Sequence, residues 1–406
     1  MSLLSIKNKI GIPSDWKMVP IGKVLVSSQY GTSNGNSDTG VPVVGMKNLQ
    51  DGKVDFNDLP LVSVDETEKE SLLLHDGDIL LNRTNSYDLV GKIGFVENAI
   101  EAVFASYLVR LKVNMAKTDP KFVAMWLTSF WADQMIKKIA TRAVSQANVN
   151  PTEFKKFCLV PMPPLPEQKA IADLLSTWDE AIEKTVRLIQ AKEYSLKSQI
   201  QKLISQRCDS WPHVKPKKIF DTITEKNFPE EELLSVTQDR GVIPRSMLEG
   251  RVMSPDGTTA SYKLIKQGDF VISLRSFQGG IEYSNFKGII SPAYTVLRPK
   301  IKLNSDFYRL FFKSHIFIEK YLHLAVIGIR DGKQISIPDF LSIKIPVPPP
   351  EEQKMIAETL SAAQREIDLL KQLADKYKTQ KRGLMQKVLT GEWRVKPEII
   401  NQYMEA

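Results

Sequence analysis

The chain has 406 residues with 42% apolar and 25% charged side chains, enough for two or three domains with real cores, and its formal charge of +8 permits a polyanionic partner without demanding one. Two cysteines, Cys158 and Cys208, and four scattered histidines (His75, His213, His315, His323) form neither a CxxC nor an HExxH pattern, which argues against a metal centre. The opening "MSLLSIKNKIGIPSDW" lacks an apolar core followed by a cleavage site, and no run of 18 apolar residues occurs, so a cytoplasmic chain with reduced thiols and no membrane partner is expected.

In chain order, short Val/Ile/Leu/Phe runs bounded by Gly, Asp and Asn come first and read as strands: "VPVVGM", "GDILLN", "KIGFV" and "SYLVRLKV". "PKFVAMWLTSFWADQMIKKIA" (120–140) reads as one helical piece whose Phe122, Met125, Trp126, Phe130, Met135 and Ile139 face a core. Then comes "PMPPLPEQKAIADLLS" (161–176), followed by a helical pattern without Pro for about 40 residues, roughly 60 Å at ~1.5 Å per residue. Its apolar seam runs through Ile171, Leu175, Trp178, Ile182, Ile189, Leu196 and Leu203, interrupted by Thr185, Lys192 and Gln199.

The same text then recurs. "PVPPPEEQKMIAETLS" (346–361) repeats the Pro-rich stop and helix start 185 residues later, and the seam returns at Ile356, Leu360, Ala363, Ile367, Leu370, Ala374, Tyr377, Leu384 and Val388. Looser matches precede it: "GDILLNRTNS" with "GDFVISLRSF", "ASYLVRLK" with "PAYTVLRP", and Trp16 with Trp211. The organisation is globule, long helix, globule, long helix. The expected boundaries are 1–160 and 209–345 for the globules, 161–208 for the first helix region, and 346–406 for the second with its tail. A lone helix of that length wastes its seam, so the two are expected to pair as a coiled coil, in a sense the pattern leaves open. The fold class is α+β: two similar mixed α/β domains alternating with two paired long helices in a pseudo-two-fold internal repeat.

Asp78 and Asp269, each after a Gly and before a strand, read as turn residues. Three polar clusters recur at matching places in both halves. One contains Lys47 and Asn48, matched by Gln238 and Arg240; the second contains Arg83 and Asn85, matched by Arg275 and Gln278; the third contains Arg142 and Gln146, matched by Arg330 and Lys333. Arg, Asn and Gln carry the paired donors and acceptors that read base edges, and they also hold ordinary loops together. Catalysis finds no duplicated constellation: there is no Gly-x-Gly-x-x-Gly, no Gly-Lys-Ser/Thr phosphate loop and no Gly-x-Ser-x-Gly.

The two "PLPEQKAIADLLS" and "PPPEEQKMIAETL" helix starts, the helices ending in "QKLIS" and "QKVLTGEW", the "GDILLNR" strand and the "IPSDWKMVPIGKV" opening together resemble the specificity subunit of a type I restriction-modification enzyme, over the whole chain. The resemblance implies two target recognition domains, each reading one half of a split, asymmetric duplex DNA sequence. It implies helices that set the spacing and dock two modification (methyltransferase) subunits, to which restriction (motor and nuclease) subunits add. It also implies no catalysis and no cofactor in this chain itself. It assigns S-adenosylmethionine, ATP and magnesium, with adenine methylation and cleavage, to the expected partner subunits. One departure is that the second helix start reads "PPPEEQ" where the first reads "PPLPEQ". The rival readings are a non-enzymatic scaffold whose two modules bind protein, held apart by a coiled coil, and a free-standing nuclease or methyltransferase.

Overall fold

A computed structural model describes residues 10–143, 146–248, 259–328 and 333–404. The chain forms two compact units. One comprises residues 1–185 with 373–406, the other residues 186–372.

In the first unit a six-stranded sheet runs in the order Leu25–Tyr30, Leu108–Val113, Ile79–Asn82, Ile93–Phe95, Lys53–Val54, Leu49–Gln50. The central strand Ile79–Asn82 pairs antiparallel with both neighbours. Successive side chains of a strand point to opposite faces, and this strand is buried on both. Ile79 and Leu81 face a core with Phe122, Trp126 and Met135, while Leu80 faces a second with Val44, Val103 and Phe104. The segment expected as one helix is two: Pro120–Leu127, and Phe130–Ile139, which Ser129 caps by accepting from the Ala132 N–H. The break corrects one assignment. Phe130 becomes the first residue of a new helix and turns outward, 52% exposed, while Phe122, Met125, Trp126 and Met135 stay in the core and Ile139 packs at its edge.

In the second unit four strands repeat the centre of that sheet, in the order Phe220–Ile223, Thr295–Pro299, Phe270–Ile272, Glu282–Tyr283. The helix Ser305–Lys313 packs Phe307, Tyr308, Phe311 and Phe312 into an aromatic core with Phe220 and Phe270. The Gly-Asp turns repeat in detail. Asp78 accepts the His75 N–H at 3.0 Å and lies 3.6 Å from the Arg110 guanidinium; Asp269 accepts the Lys266 N–H at 2.8 Å and takes two bonds from Arg298 at 2.8 and 2.9 Å. Both carboxylates are buried, and each is consumed by a turn and a cross-strand arginine.

The long helices span Leu165–Ile200 and Pro350–Leu389. Their Pro-rich starts suit a helix, because proline's missing N–H costs nothing in the first turn. The Glu-Gln that follows has the same task in both copies. Gln168 donates to the Pro163 carbonyl at 2.9 Å and accepts the Asp119 N–H at 2.9 Å, while Gln353 donates to Pro348 at 2.8 Å and accepts the Asn304 N–H at 3.0 Å. Each glutamine therefore ties the Pro-rich loop to the cap of a globule helix, since Asp119 and Asn304 are the N-caps of Pro120–Leu127 and Ser305–Lys313. The neighbouring glutamate accepts a tryptophan. Trp16 donates to Glu167 at 3.3 Å, and Trp211 donates to Glu352 at 3.0 Å. An arginine just past the end of the opposite long helix completes each knot: Arg394 on Glu167 at 2.7 and 2.9 Å, and Arg207 on Glu352 at 2.7 Å.

In the first unit the knot is made by both ends of the chain. Arg394 also binds Asp15 at 3.0 and 3.2 Å, and holds its carboxyl below the usual range by hydrogen bonding. Gly391, at φ 75°, sits so close that a Cβ there would lie 2.6 Å from Pro13. Glu167→Ala removes the acceptor of both Trp16 and Arg394 from a site where Glu167 is 1% exposed. A loss of about 1–3 kcal/mol in unfolding free energy is expected, since Arg394 itself keeps contact with water. Denaturant titration checks it, with Glu180→Ala, on the exposed face of the same helix, as the neutral control.

The two helices run antiparallel. In the first unit Trp178 meets Tyr377 edge to face at 5.8 Å and Asp179 pairs with Lys381. In the second Lys192 pairs with Glu366 and Glu193 with Lys371, both at 2.7 Å, and Arg207 with Glu352. From Glu167 with Arg394 to Asp179 with Lys381 in the first unit, and from Lys192 with Glu366 to Arg207 with Glu352 in the second, partner numbers fall as those of the first helix rise. The polar breaks in the seam are satisfied: Lys192 by its ion pair, and Thr185, 9% exposed, by donating to the Ala181 carbonyl at 2.7 Å.

Candidate nucleic-acid interface

The three polar clusters of the first globule lie far apart in sequence and meet at the end of the central strand. Just beyond Asn82 the chain continues as Thr84–Asn85, which pairs with Ala147–Val149, itself paired with Ala140–Arg142. That small sheet brings the Arg83 and Asn85 cluster beside the Arg142 and Gln146 cluster. Asn85 then donates to the Met46 sulfur at 3.7 Å, which adds the Lys47 cluster.

Two arginines of these clusters lie on aromatic rings. The Arg142 guanidinium stands 3.4 Å from the Tyr87 ring centre, and the Arg83 guanidinium 5.1 Å from that of Tyr30. Stacking of this kind holds an arginine extended while leaving its in-plane donors free. Lys47, Arg142 and Gln146 are exposed, and Arg83 and Asn85 are half-buried. Asn48 is 4% exposed, and its amide accepts the Gly45 N–H at 3.1 Å and donates to the Asn57 carbonyl at 3.4 Å, so both of its ends close a loop. Tyr30 and Tyr87 were not singled out by sequence reasoning, and nothing in their spacing marks them; only the sheet places them under the arginines.

The second globule gathers its clusters in the same way. The Gln238 side chain lies against the turn carrying Arg275, 3.5 Å from its carbonyl, and a Cβ on Gly279 would come within 3.0 Å of the Gln238 amide. The helical turn Ser276–Gly279 packs against the strand Gln334–Ile335, next to Lys333. Gln238, Arg240, Arg275, Gln278 and Lys333 are all exposed, and Arg240 donates to the Met247 carbonyl at 3.2 Å. Arg330 lies outside the described residues.

Of the helix seam, Ile171, Leu175, Ile356, Leu360 and Ile367 are 0–1% exposed, and Trp178, Ile182 and Leu370 are half-buried. Ile171 and Leu175 pack into the globule core of the first unit together with Val388 and Leu389 from the end of the second helix. Cys158 and Cys208 are buried free thiols, and burial pushes the Cys158 thiol up to about 12. Among the described residues no group of His, Cys, Asp and Glu could hold a metal ion, and no helix is long and apolar enough to cross a membrane.

The sequence model of the family described as type I restriction modification DNA specificity domain matches residues 13–193 and 218–378, one match for each half of the repeat. The chain belongs to that family. It is 28% identical over 419 aligned positions to a Methanocaldococcus jannaschii chain named as a type I restriction enzyme MjaX specificity subunit, covering 96% of each. It is 26% identical to the type I restriction enzyme MjaVIII specificity subunit of the same organism, covering 95% of this chain and 94% of that one. The fold matches a crystal structure of a type I restriction-modification system S subunit from M. genitalium with a TM-score of 0.56 at 16% identity, over 93% of this chain and 96% of that one.

As a specificity subunit of the type I family, this chain binds DNA and associates with modification and restriction subunits. It is a non-catalytic member of a larger enzyme, in which S-adenosylmethionine, ATP and magnesium are used by the partner subunits.

Proposed function

We propose that residues 1–160 and 209–345 are two separate readers of duplex DNA, each contacting one half of a bipartite, asymmetric target in the cytoplasm. Residues 161–208 and 346–406 hold them at a fixed spacing and carry the docking surface for two modification subunits. One observation carries the reading. In each globule three polar clusters, far apart in sequence, converge at the end of the same central strand, Ile79–Asn82 in one and Phe270–Ile272 in the other. A shared skeleton presenting different side chains at one place is what two readers of two sequences require. Lys47, Arg83, Asn85, Arg142 and Gln146 are the contacts we assign to the first half-site, and Gln238, Arg240, Arg275, Gln278 and Lys333, with Arg330, those we assign to the second; Asn48 supports its loop.

The test is competition binding by the assembled modification complex against a panel of half-site variants. If Arg142 reads a base edge, Arg142→Ala costs about 1–3 kcal/mol on the cognate site and relaxes one position of one half-site. If it contacts phosphate, all sequences weaken together and the salt dependence falls by about one charge. Arg83→Ala is read in the same way. Failure of the complex to prefer any split duplex sequence would sink the reading and leave the scaffold alternative standing.

A further inference from the structure

Beside the converged clusters of the second globule lies a cavity of about 640 Å³, lined by Thr237, Gln238, Ser273, Arg275, Tyr294 and Glu282. Glu282 differs from every other carboxylate described so far. It is 1% exposed, its Oε1 takes an ion pair from Lys313, and its Oε2 has no hydrogen-bond partner. Lys313 is fully occupied, donating also to the Gly279 carbonyl at 2.8 Å and the Gln238 carbonyl at 3.1 Å. A buried carboxylate oxygen left unpaired is costly. An ion pair that served stability alone would gain by satisfying it.

The first globule shows that the skeleton does not need this group. By strand register Glu282 stands opposite Val271 as Gly94 stands opposite Leu80, with Phe270 and Tyr283 matching Ile79 and Phe95. At Gly94 the space is filled: a Cβ would meet Leu49 at 2.4 Å and Val54 at 3.0 Å. The residue 185 positions before Lys313 is Thr128. One half therefore closes this position with apolar side chains, and the other opens it into a polar cavity with an acceptor at its wall. The opening is also built in the backbone. Gly280, at φ 76°, sits where a Cβ would lie 2.0 Å from the Phe312 carbonyl oxygen, which keeps the turn carrying Arg275 close to the helix that supplies Lys313.

We propose that Glu282 is a specificity-determining residue of the second reader, whose free oxygen accepts a hydrogen bond from the exocyclic amino group of a target base, cytosine N4 or adenine N6. This rests on the DNA-reading proposal above and names one chemistry within it. Among the bases only cytosine and adenine offer an amino donor in the major groove; guanine and thymine offer carbonyl acceptors there, which a carboxylate repels. Arg275 and Gln238 on the same cavity supply the donors that hold a neighbouring base or phosphate.

Burial raises the Glu282 carboxyl to about 7, against the opposing pull of Lys313 and with a further push from Asp239. The groups facing it are Lys313 from the helix, Asp239 and Gln238 from the turn, and Arg275 and Tyr294 across the cavity; the adjoining strands Phe270–Ile272 and Gly241–Pro244 bring no titratable side chain. The acceptor is the deprotonated form. Discrimination for the amino-bearing base is therefore full above that value and lost as pH falls through it.

The experiment is methylation by the full complex of this chain with its modification subunits on a duplex library, read by sequencing. For the wild-type complex the position read by Glu282 carries C or A, which identifies the amine. Glu282→Gln keeps the shape and turns one acceptor into a donor. At that position discrimination falls about tenfold or inverts towards G or T, with the other half-site and the gap unchanged. A Glu282→Gln motif identical to wild type at every position overturns the proposal while leaving DNA reading intact. A wild-type complex with no defined split motif overturns DNA reading itself. Should Glu282→Gln fold poorly, the wild-type complex decides alone. The preference at one C or A position of one half-site is expected to fall roughly tenfold between pH 8 and pH 6, and a ratio flat with pH at every such position overturns the assignment.

Discussion

A heptad inserted into both long helices, after Thr185 and after Gln372, is expected to lengthen the gap between the two half-sites by about three base pairs, with both half-site sequences unchanged. Seven residues add about 10.5 Å of helix and nearly two full turns, so the apolar seam stays on the same face. DNA rises ~3.4 Å per base pair, which converts the added length to about three. Thr185 and Gln372 lie where the two units divide, and each helix runs through that point without a break. Both helices must be extended because they are antiparallel. A heptad in one alone moves every partner beyond it out of register, separating pairs such as Lys192 and Glu366, and is expected to abolish assembly. Sequencing of sites methylated by the double-insertion complex gives the answer directly. An unchanged gap with intact activity would show that the helices are not the ruler.

Truncation of the seam gives the largest expected loss of stability. Leu360 is fully buried, while Leu369, nine residues further along the same helix, is 64% exposed. Leu360→Ala is expected to cost about 2–5 kcal/mol, because it removes buried methyl groups and leaves a cavity between well-packed neighbours. Leu360→Asp does worse, since a carboxylate there has no partner to offset its desolvation. Leu369→Asp is the control and should shift the denaturation midpoint little. Equal effects of the two aspartates would mean that Leu360 does not face the seam. Binding of the modification subunit to each variant separates loss of folding from loss of a docking surface, because Leu369 is the residue that remains available to a partner.

The repeat was legible in the sequence because its parts are local. A Pro-rich stop, a run of strong helix formers and a seam at steps of three and four are written in consecutive residues, and their recurrence 185 positions later requires no knowledge of contacts. The turn role of Asp78 and Asp269 was legible for the same reason: a Gly-Asp step before a strand is a short-range signal. The break at Ser129 was a local signal too, a capping serine inside an apolar pattern, but the continuous row of aromatics on both sides concealed it.

Other features depended on residues that meet only when the chain folds. The helix sense could not be read from either seam, because a seam is equally apolar in both directions; it was decided by charge pairs such as Asp179 with Lys381. The meaning of Glu-Gln in the repeated motif needed Trp16 and Arg394, 151 and 227 residues from Glu167. The stacking of Arg142 on Tyr87 depends on a three-stranded sheet in which Thr84–Asn85 joins a strand pair more than 50 residues further along the chain. Glu282 gave no signal at all, since its counterpart in the other half is a glycine and the repeat drew attention to what the halves share. Sequence by itself determined the elements and their duplication, because hydrophobic period and turn chemistry act over a few residues. Tertiary structure alone decided which polar groups are spent on loops and which remain for a partner, because that depends on what a distant segment brings to within about 3 Å.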